Sequence, residues 1–426
     1  MKKIMLHICK PLTIISAILL CVLLYSQTNA HAADVKGIWC SYVDYEDMGL
    51  YNKSESEFTA NADTLFKRIK LYGFNTVYFQ VRPYNDAIYP SKIFKWCTYL
   101  APSKPDYDPL SILIDKAHKY NLSFHPWINP YRVTTEKILN PAKASTINHI
   151  VAGVKEIIEN YDVDGIHFDD YFYPSKKKGM PYNKVSISKR KTNVNKMVKS
   201  VYKAIKDHNP ELIFGISPSG NVEYAESIGC DLKAWTTSDD YIDYIIPQLY
   251  WSDYYITGNG KTEYYTETLD EWTDLVDGMK DIYIGLALYK SGLKSDVDKG
   301  WRKSNHNITN QISLLNNYAC DGYVMFSYRY IFTPDGKKEF ANYMKYVSGL
   351  KLKKPVITIK KKKTYNLNKA ILVKKKYSSY LTYSSDNKRI ATVSSKGTIK
   401  AIKSGNVWIT IKGIAGSKIK CKVKVR

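Results

Sequence analysis

The chain has 426 residues, of which 44% are hydrophobic and 24% are charged, so it is long enough to bury a large core in more than one domain. Its net charge of +23 is concentrated at one end, because residues 351–426 contain 22 Lys and Arg and one acid, whereas residues 33–350 are nearly neutral. The five cysteines after residue 32 stand singly with no C-x-x-C pair, which argues against zinc fingers and a disulfide scaffold. We expect mostly buried thiols.

Residues 1–32 have the features of a secretory signal peptide, namely a basic start, an apolar run over 11–25, and small residues at Ala30 and Ala32. An uncleaved membrane anchor is the alternative, although the apolar run is short for a membrane span. No later apolar run is long enough to span a bilayer. We therefore expect a mature protein that is secreted or associated with the cell wall, with no stable membrane insertion after signal cleavage.

Residues 33–350 alternate strand-like and helix-like segments. The strand candidates are VKGIWCSY, TVYFQVRP, SFHPWINP, GIHFDDYFYP, LIFGISPSG, YIIPQLYWS, YIGLALYK and GYVMFSYRY. Apolar residues at helical spacing occupy the segments between them, with N-cap candidates at Ser56, Asp108 and Thr309. Eight such units predict an α/β fold, a (β/α)8 TIM barrel. An open doubly wound sheet is the alternative, but no glycine-rich phosphate loop follows a strand.

The predicted carboxyl ends of these strands are rich in aromatic and polar residues, as in QVRPYNDAIYPS, HPWINPYR and PQLYWSDYY. In a TIM barrel these ends form the active face. Aromatic rings can stack on the C–H faces of sugars while polar side chains bind the hydroxyls, so the pattern favours a carbohydrate site. The abundance of tyrosine, with 37 in the chain, is the simpler explanation for any single ring.

Two adjacent aspartates end the fourth strand, in GIHFDDYFYP. The carboxylates at predicted strand ends are Asp44, Asp86, Asp169, Asp170 and Asp253. A usual glycosidase needs two carboxylates that flank the scissile bond, but substrate-assisted enzymes use the acetamido group of the sugar as nucleophile. One aspartate of the pair would then polarise the acetamido N–H, and the other would protonate the leaving oxygen. A conventional mechanism with Asp86 or Asp253 as partner is the alternative.

The blocks QVRPYNDAIYPS, HPWINPYRV, VDGIHFDDYFYP, ISPSGN, IIPQLYWS and DGYVMFSYRY together resemble the family-10-like glycosyl hydrolases, bacterial (β/α)8 barrels that include peptidoglycan glycosidases. The resemblance extends over nearly all of residues 33–345. Asn85 stands before Asp86 where the family usually has glycine, and asparagine tolerates a left-handed backbone. The resemblance implies a TIM barrel over residues 33–350 and hydrolysis of O-glycosyl bonds.

The same resemblance implies the site residues. Asp169 and Asp170 would be catalytic. The substrate would be bound by Arg82, Asp86, His125, Trp127, Asn129, Tyr171, Gln248, Tyr250 and Trp251. Arg82 needs an acidic partner, and Asp86 or the lactyl carboxylate of muramic acid would serve. His125 has a hydrogen-bonded core position as its alternative. No spacing of His or Cys suggests a metal site, so we predict neither a metal nor another cofactor.

Residues 351–426 change to short alternating runs separated by Gly and Ser, which predicts an all-β module of about seven strands. The stretch YSSDNKRIATVSSKGTIKAIKSGNVWITIKG resembles the bacterial immunoglobulin-like group 2 domain, which implies a C-terminal immunoglobulin-like sandwich. The lysines exceed what solubility requires, and a basic field attracts polyanions. We expect this domain to bind anionic wall polymers, and we expect no nucleic acid partner because export places the protein in another compartment.

Together these patterns predict a secreted glycoside hydrolase that acts on N-acetylated cell-wall glycan, with peptidoglycan glycan strands as the expected substrate and acid catalysis assisted by the acetamido group. One alternative is a conventional two-carboxylate glycosidase that acts on another polysaccharide. The other is a non-catalytic glycan-binding protein of the cell surface, which the absence of a strand-end glutamate favours.

Overall fold

The computed structural model describes residues 35–169, 172–174, 181–256, 262–263 and 265–426. The predicted signal peptide lies outside these residues. Within them, no helix combines the length and the apolar character that crossing a membrane requires. The five cysteines of this part of the chain are free thiols, four of them buried and Cys320 half-buried, as predicted.

Eight parallel strands close into a barrel, which confirms the predicted fold. The strands are β1 Val35–Cys40, β2 Thr76–Arg82, β3 Ser123–Ile128, β4 Gly165–Asp169, β5 Ile213–Ser217, β6 Tyr244–Ile245, β7 Asp281–Ala287 and β8 Gly322–Phe326. Neighbours in the sheet follow chain order, and β1 pairs with β8 to close it, with Val35 opposite Gly322 and Ile38 opposite Met325. The carboxyl ends of all eight strands therefore meet at one face.

Helices follow every strand of the barrel. They are α1 Glu55–Leu71, α2 Pro109–Lys119, α3 Ala144–Asn160, α4 Ile187–His208, α5 Val222–Ser227, α6 Leu232–Thr237, α7 Tyr265–Val276, α8 Gly300–Lys303, α9 Asn307–Leu315 and α10 Pro334–Ser348. In α1 the buried residues Phe58, Ala62 and Phe66 recur at helical spacing and face the barrel core.

The helix starts depend on local capping. Asp108 caps α2 as predicted, since its Oδ1 accepts the backbone N–H of Leu110 at 3.0 Å. The other two predicted caps were displaced by two or three residues. Ser54 caps α1 in place of Ser56, because a capping box with Glu57 satisfies the first turn from both sides. His306 rather than Thr309 precedes α9.

A layer of rings fills the barrel below its carboxyl face. Tyr78, His125, His167 and Tyr244 are all buried, with the centroids of the Tyr78 and His167 rings 4.8 Å apart. Small residues on neighbouring strands leave room for these rings. A Cβ atom on Gly215 of β5, for example, would lie 2.1 Å from Cε2 of Tyr244. This close-packed ring layer gives rigid support to the side chains at the carboxyl ends of the strands.

We expect the Gly215→Ala substitution to lower the free energy of unfolding by about 1–3 kcal/mol, because the new methyl group overlaps the Tyr244 ring. Urea denaturation of the variant and the wild type measures this loss. Tyr244→Leu in the same chain should recover part of it, which a double-mutant cycle detects as a coupling energy. Strictly additive losses would show that the ring does not oppose the methyl group.

The C-terminal domain is a β-sandwich. Its strands are β9 Lys351–Leu352, β10 Val356–Ile359, β11 Thr364–Asn366, β12 Ile371–Leu372, β13 Thr382–Ser385, β14 Ala391–Val393, β15 Thr398–Ala401, β16 Gly405–Lys412 and β17 Lys418–Val425. One sheet has the order β10–β17–β16–β13 and the other the order β11–β15–β14, while β9 pairs with β12. Ile399 and Ile409 belong to the apolar core that the two sheets share. The predicted all-β module is confirmed.

The two domains are in contact. Gly349 ends α10 in the left-handed conformation (φ 64°), and the sandwich begins directly after it. Tyr377 and Ile414 of the sandwich are buried in the same apolar cluster as the barrel core. Lys374 donates its backbone N–H to the carbonyl oxygen of Ser348 at 2.9 Å. The sandwich therefore buries apolar surface of the barrel in addition to forming a core of its own.

Candidate active site

A cavity of about 410 Å³ opens at the carboxyl ends of the barrel strands. The aromatic side chains that line it are Trp39, Tyr42, Trp127, Tyr250, Tyr289, Phe326 and Tyr330. The polar side chains that line it are Ser41, Gln80, Arg132, His167, Asp169, Ser217 and Gln248. The cavity has the size and mixed lining of a small-molecule site and lies on the face where TIM-barrel enzymes carry their active sites.

Asp169, the last residue of β4, supplies a carboxylate to this cavity and is only 7% exposed. Two amide side chains hold it. Asn129 Nδ2 lies 3.4 Å from its Oδ2, and Gln248 Nε2 lies 3.3 Å from its Oδ1. Because both oxygens act as acceptors, the carboxylate has a defined orientation toward the cavity. The structure thus brings together three residues that the sequence analysis selected.

A chain of hydrogen bonds extends from this carboxylate to the first β–α turn. Gln80 donates from Nε2 to Oδ1 of Asn129 at 2.7 Å. Its Oε1 in turn accepts from Ser41 Oγ at 3.0 Å and from the backbone N–H of Tyr42 at 3.1 Å. These bonds fix which end of each amide is the donor. The network joins the carboxyl ends of β1, β2, β3 and β4 and fixes the Asn129 amide group that contacts Asp169.

The aromatic side of the cavity is a continuous cluster. Trp39 contacts Phe326 with ring centroids 5.9 Å apart, and Tyr250 lies 5.9 Å from the same ring. Tyr289 extends the cluster, 5.7 Å from Tyr250. Rings in such a wall offer flat apolar faces to a sugar. Trp127 and Tyr250 were predicted here, whereas Trp39, Tyr289 and Phe326 were missed.

Two polar atoms of the cavity lining, Trp127 Nε1 and Ser217 Oγ, are buried and have no hydrogen-bond partner among the described residues. A buried polar group that lacks a partner costs free energy, so such groups often mark places where a ligand completes the hydrogen bonding. Both atoms belong to strand ends that border Asp169 on the barrel face. A ligand with donor and acceptor groups would satisfy them.

The two histidines of the barrel interior have structural positions. Trp39 Nε1 donates to His167 Nε2 at 3.3 Å, and Nδ1 of His167 lies 3.2 Å from the Tyr244 hydroxyl. His125 lies deeper, with Nδ1 also 3.2 Å from that hydroxyl. Burial lowers the pKa of His125 to about 4 and holds the pKa of His167 well below its usual range. The structure therefore places His125 in the hydrogen-bonded core position that was its alternative, and His167 is the histidine among the described lining residues.

Arg82 and Asp86 lie away from the cavity, contrary to the prediction. The Arg82 guanidinium is fully buried, with Cζ 3.4 Å from the centre of the Phe94 ring, next to Gly153 of α3. Its Nε and Nη1 find no hydrogen-bond partner in the described part of the chain, and burial lowers the pKa of the guanidinium. Asp86 accepts the backbone N–H of Tyr84 at 3.2 Å, and burial raises its pKa. Neither side chain is among the described residues that line the cavity.

A different arginine reaches the cavity. Arg132, in the turn after β3, lines it, and its Cζ lies 4.7 Å from the centre of the Tyr84 ring. The sequence predicts an acid-binding arginine on β2, whereas the structure places the cation of the cavity in the turn after β3. The cavity therefore combines one carboxylate with one guanidinium among its described lining residues.

Two further predicted residues lie elsewhere. Trp251 packs on Tyr255, with ring centroids 5.9 Å apart, and belongs to the apolar core rather than to the cavity lining. Asp253, the proposed partner of a conventional mechanism, accepts the backbone N–H and the hydroxyl of Thr266 at 3.1 Å each. It stabilises the start of α7. Asp170 and Tyr171 lie outside the described residues, so their predicted roles stay predictions.

Asp44 is a buried carboxyl between two turns that border the cavity. Ser327 Oγ donates to its Oδ2 at 2.7 Å, and the backbone N–H of Ser41 donates to the same oxygen at 3.4 Å. Among the described residues its Oδ1 has no hydrogen-bond partner, and Nε of Arg329 lies 3.9 Å from this oxygen. Burial raises the pKa of Asp44 to about 6. This carboxyl joins the turns after β1 and β8, where the barrel closes.

The described side chains of the cavity lining determine which groups it offers to a ligand. Across the described residues, no group of three or more His, Cys, Asp or Glu side chains is placed to hold a metal ion. The chemistry that these side chains can provide is therefore that of one held carboxylate, one guanidinium, several amides and hydroxyls, and an aromatic wall.

Comparison with known proteins bears on the fold and on the family. Glycosyl hydrolase YngK of Bacillus subtilis (strain 168) is 32% identical over a region that covers 56% of this chain and 56% of YngK, so the chain spans little more than half of that relative. Glycosyl hydrolase DigH of Escherichia coli (strain K12) is 27% identical, with 65% of this chain and 78% of DigH covered.

Among solved structures, the PgaB (BpsB) glycoside hydrolase domain from Bordetella bronchiseptica matches with a TM-score of 0.51 at 10% identity, covering 73% of this chain and 98% of that domain. At that identity the likeness concerns the fold alone. The model of the family described as glycosyl hydrolase-like 10 matches residues 34–137 and 133–303, and that of the bacterial Ig-like domain (group 2) matches residues 346–423. The chain thus belongs to the glycosyl hydrolase-like 10 family and carries a bacterial Ig-like domain of group 2 at its C-terminal end.

Proposed function

We propose that the protein is an exported glycoside hydrolase that cleaves N-acetylated glycan of the cell wall, with peptidoglycan glycan strands as its substrate. The observation that carries the proposal is the Asp169 carboxylate, held by two amides within a cavity whose other side is a wall of aromatic rings. Its neighbour in sequence is Asp170. Membership of a glycosyl hydrolase-like family supports the reaction class.

The proposed reaction uses the acetamido group of the substrate. Asp169 accepts the acetamido N–H, and the carbonyl oxygen of that group forms a bond to the anomeric carbon. The glycosidic C–O bond breaks while Asp170 gives its proton to the leaving oxygen. Water then adds to the anomeric carbon, Asp170 takes the proton that the water loses, and the acetamido group is restored. Other carboxylates at strand ends, such as Asp86 and Asp253, do not line the cavity.

Arg132 supports muramic acid as one of the sugars. It is a cation that lines the cavity, and the lactyl group of muramic acid ends in a carboxylate. Arginine binds carboxylates with two parallel hydrogen bonds, which gives both affinity and orientation. The proposal therefore assigns to Arg132 the acid-binding role that the sequence analysis gave to Arg82.

The experiment that tests the function is digestion of purified, peptide-free wall glycan, with mass spectrometry of the products. Sugar oligomers with new reducing ends would support a hydrolase. Binding of the glycan without any product over about pH 4–8 would instead identify a non-catalytic glycan-binding protein. A thiazoline inhibitor, which mimics the intermediate formed by the acetamido group, should bind if that group participates.

We expect Arg132→Gln to raise KM on wall glycan by about 10–100-fold, because a charge-assisted hydrogen bond to a carboxylate is worth about 1.5–3 kcal/mol. An oligomer of N-acetylglucosamine, which lacks the lactyl group, is the matched substrate, and its KM should change little. Steady-state kinetics on both substrates give the comparison. An equal rise in KM on both would show that Arg132 does not recognise the lactyl carboxylate.

The wall location is part of the same proposal. We propose that residues 351–426 bind anionic polymers of the wall and thereby hold the barrel near its substrate. The support for this is the concentration of 22 basic residues against one acid in this domain. Electrostatic attachment weakens with salt, whereas stacking of sugars on rings depends on salt much less. Retention on whole walls should therefore fall as salt is raised, while turnover of soluble glycan persists.

A further inference from the structure

The outer face of one sheet of the C-terminal domain carries a row of lysines. Lys418, Lys420, Lys422 and Lys424 alternate along β17 with residues that point to the core of the sandwich. Successive side chains of a strand point to opposite faces, so these four lysines lie on one face. With a rise of about 3.4 Å per residue, they are about 7 Å apart and the row is about 20 Å long.

The neighbouring strands extend this basic face. Lys412 of β16 lies directly opposite Lys418, and Trp408 of the same strand lies opposite Lys422. Trp408 is 43% exposed. Across the whole described part of the chain, none of these five lysines forms an ion pair. The single acid of the domain, Asp386, lies in the loop after β13, where its Oδ1 accepts the backbone N–H of Trp408 at 2.9 Å.

Protection of a sheet edge does not account for the row. Lysines that prevent aggregation stand on edge strands, where backbone groups are unpaired. β17 is an interior strand, since it pairs with β10 on one side and with β16 on the other. Like charges opposite each other, as at Lys412 and Lys418, destabilise a sheet. A row of unpaired lysines in the middle of a sheet therefore costs stability unless an anion binds there.

We propose that this face binds a linear phosphodiester polymer of polyols or sugars. Such a chain repeats one negative charge after each short polyol unit, a repeat comparable in length to the lysine spacing. Carboxylates along a glycan strand recur less often, because two sugars separate them. Lysine is a suitable point charge for phosphate, and the exposed Trp408 ring can stack on a sugar carried by the polymer. The inference rests on the proposed function only in placing the protein at the wall.

The test measures binding of the full chain after residue 32 to labelled poly(glycerol phosphate) by fluorescence anisotropy at several salt concentrations. We expect the triple variant Lys420→Ser/Lys422→Ser/Lys424→Ser to bind about 100-fold more weakly, at roughly a factor of five for each lysine lost next to an anionic surface. Its plot of log affinity against log salt should be shallower by about 2, since about 0.7 counterions are released per phosphate contact.

A matched control removes the same charge from the other sheet. Lys369, Lys396 and Lys400 are exposed in or beside the β11–β15–β14 sheet, and their triple replacement by Ser should change the affinity less than about threefold. Trp408→Ala should weaken binding of a sugar-substituted polymer at unchanged salt slope.

Two outcomes would overturn the proposal. Equal losses in the two triple variants would mean that binding follows net charge alone. Equally tight binding of phosphatidylglycerol vesicles, with the same dependence on the β17 lysines, would identify lipid head groups as the partner instead. Hydrolysis of soluble glycan by the wild-type chain tests the proposed function separately, so failure of either proposal leaves the other to be judged on its own result.

Discussion

Asp169→Asn is expected to lower kcat on peptide-free wall glycan by about 10²–10³-fold, the loss typical of removing one group that stabilises charge in a transition state. The Asp169 carboxylate accepts hydrogen bonds from the side-chain amides of Asn129 and Gln248. Asparagine at this position carries no negative charge, so it cannot accept and polarise the acetamido N–H as the carboxylate does. Asp170→Asn is expected to lower kcat by about 10²–10⁴-fold through loss of the general acid. Release of reducing sugar measures both.

The leaving group distinguishes the two aspartates. In an aryl glycoside made from an acidic phenol, the phenolate leaves without being protonated. The Asp170→Asn variant should therefore cleave the glycosidic bond of this substrate at a rate close to that of the wild type. Asp169→Asn should not recover, because polarisation of the acetamido group is needed whichever group leaves. Asp162→Asn, a change at an exposed carboxylate on the opposite end of the barrel, is the control. Near wild-type turnover by a folded Asp169→Asn variant would refute the proposed role of this carboxylate.

The barrel itself was predictable from sequence because its signals are local and repeated. All eight strand candidates are strands, and their carboxyl ends form the cavity. Asp169 was found because two adjacent aspartates end the fourth strand candidate, whereas Gln248 and Trp127 were implied by the family resemblance. Trp39 was missed although strand alternation offers a signal, since Gly37, Trp39 and Ser41 share one side of the first strand and its end.

Arg82 shows where the sequence signal fails. Alternation along β2 puts Tyr78, Gln80 and Arg82 on the same, inward side. The register between β2 and β3 shifts between Gln80 and Arg82, however, and this irregularity turns the arginine toward Phe94 outside the barrel. A one-residue shift reverses the face of every following side chain. Sequence alternation cannot reveal such a shift, and it does not apply to Arg132, which lies in the turn after β3 rather than in a strand.

The buried Asp44 predicts a pH-dependent stability with a defined sign. Its pKa rises from 3.8 to about 6 on folding because burial disfavours the charged carboxylate, and the contacts with Ser327, Ser41 and Arg329 oppose that rise only in part. Between these two values the folded chain holds more protons than the unfolded chain. Stability contributed by this group is therefore greatest below about pH 4, falls as pH rises to about 6, and then stays lower.

Replacing Asp44 by Asn removes this titration. At 1.36 kcal/mol for each pKa unit, the free energy of unfolding of Asp44→Asn relative to wild type should rise by about 2–3 kcal/mol between about pH 4 and about pH 7. Urea denaturation of both proteins at each pH gives the difference. Glu339→Gln is an internal comparison, because burial raises the pKa of Glu339 to about 7, so its relative gain should have the same sign but continue to a higher pH. A difference between Asp44→Asn and wild type that stays constant with pH would show that Asp44 is ionised in the folded chain as readily as in the unfolded one.

If the gain is found, the carboxyl that joins the turns after β1 and β8 lowers stability at neutral pH. Its contacts with Ser41 and Ser327 then serve the geometry of the cavity rather than the stability of the fold.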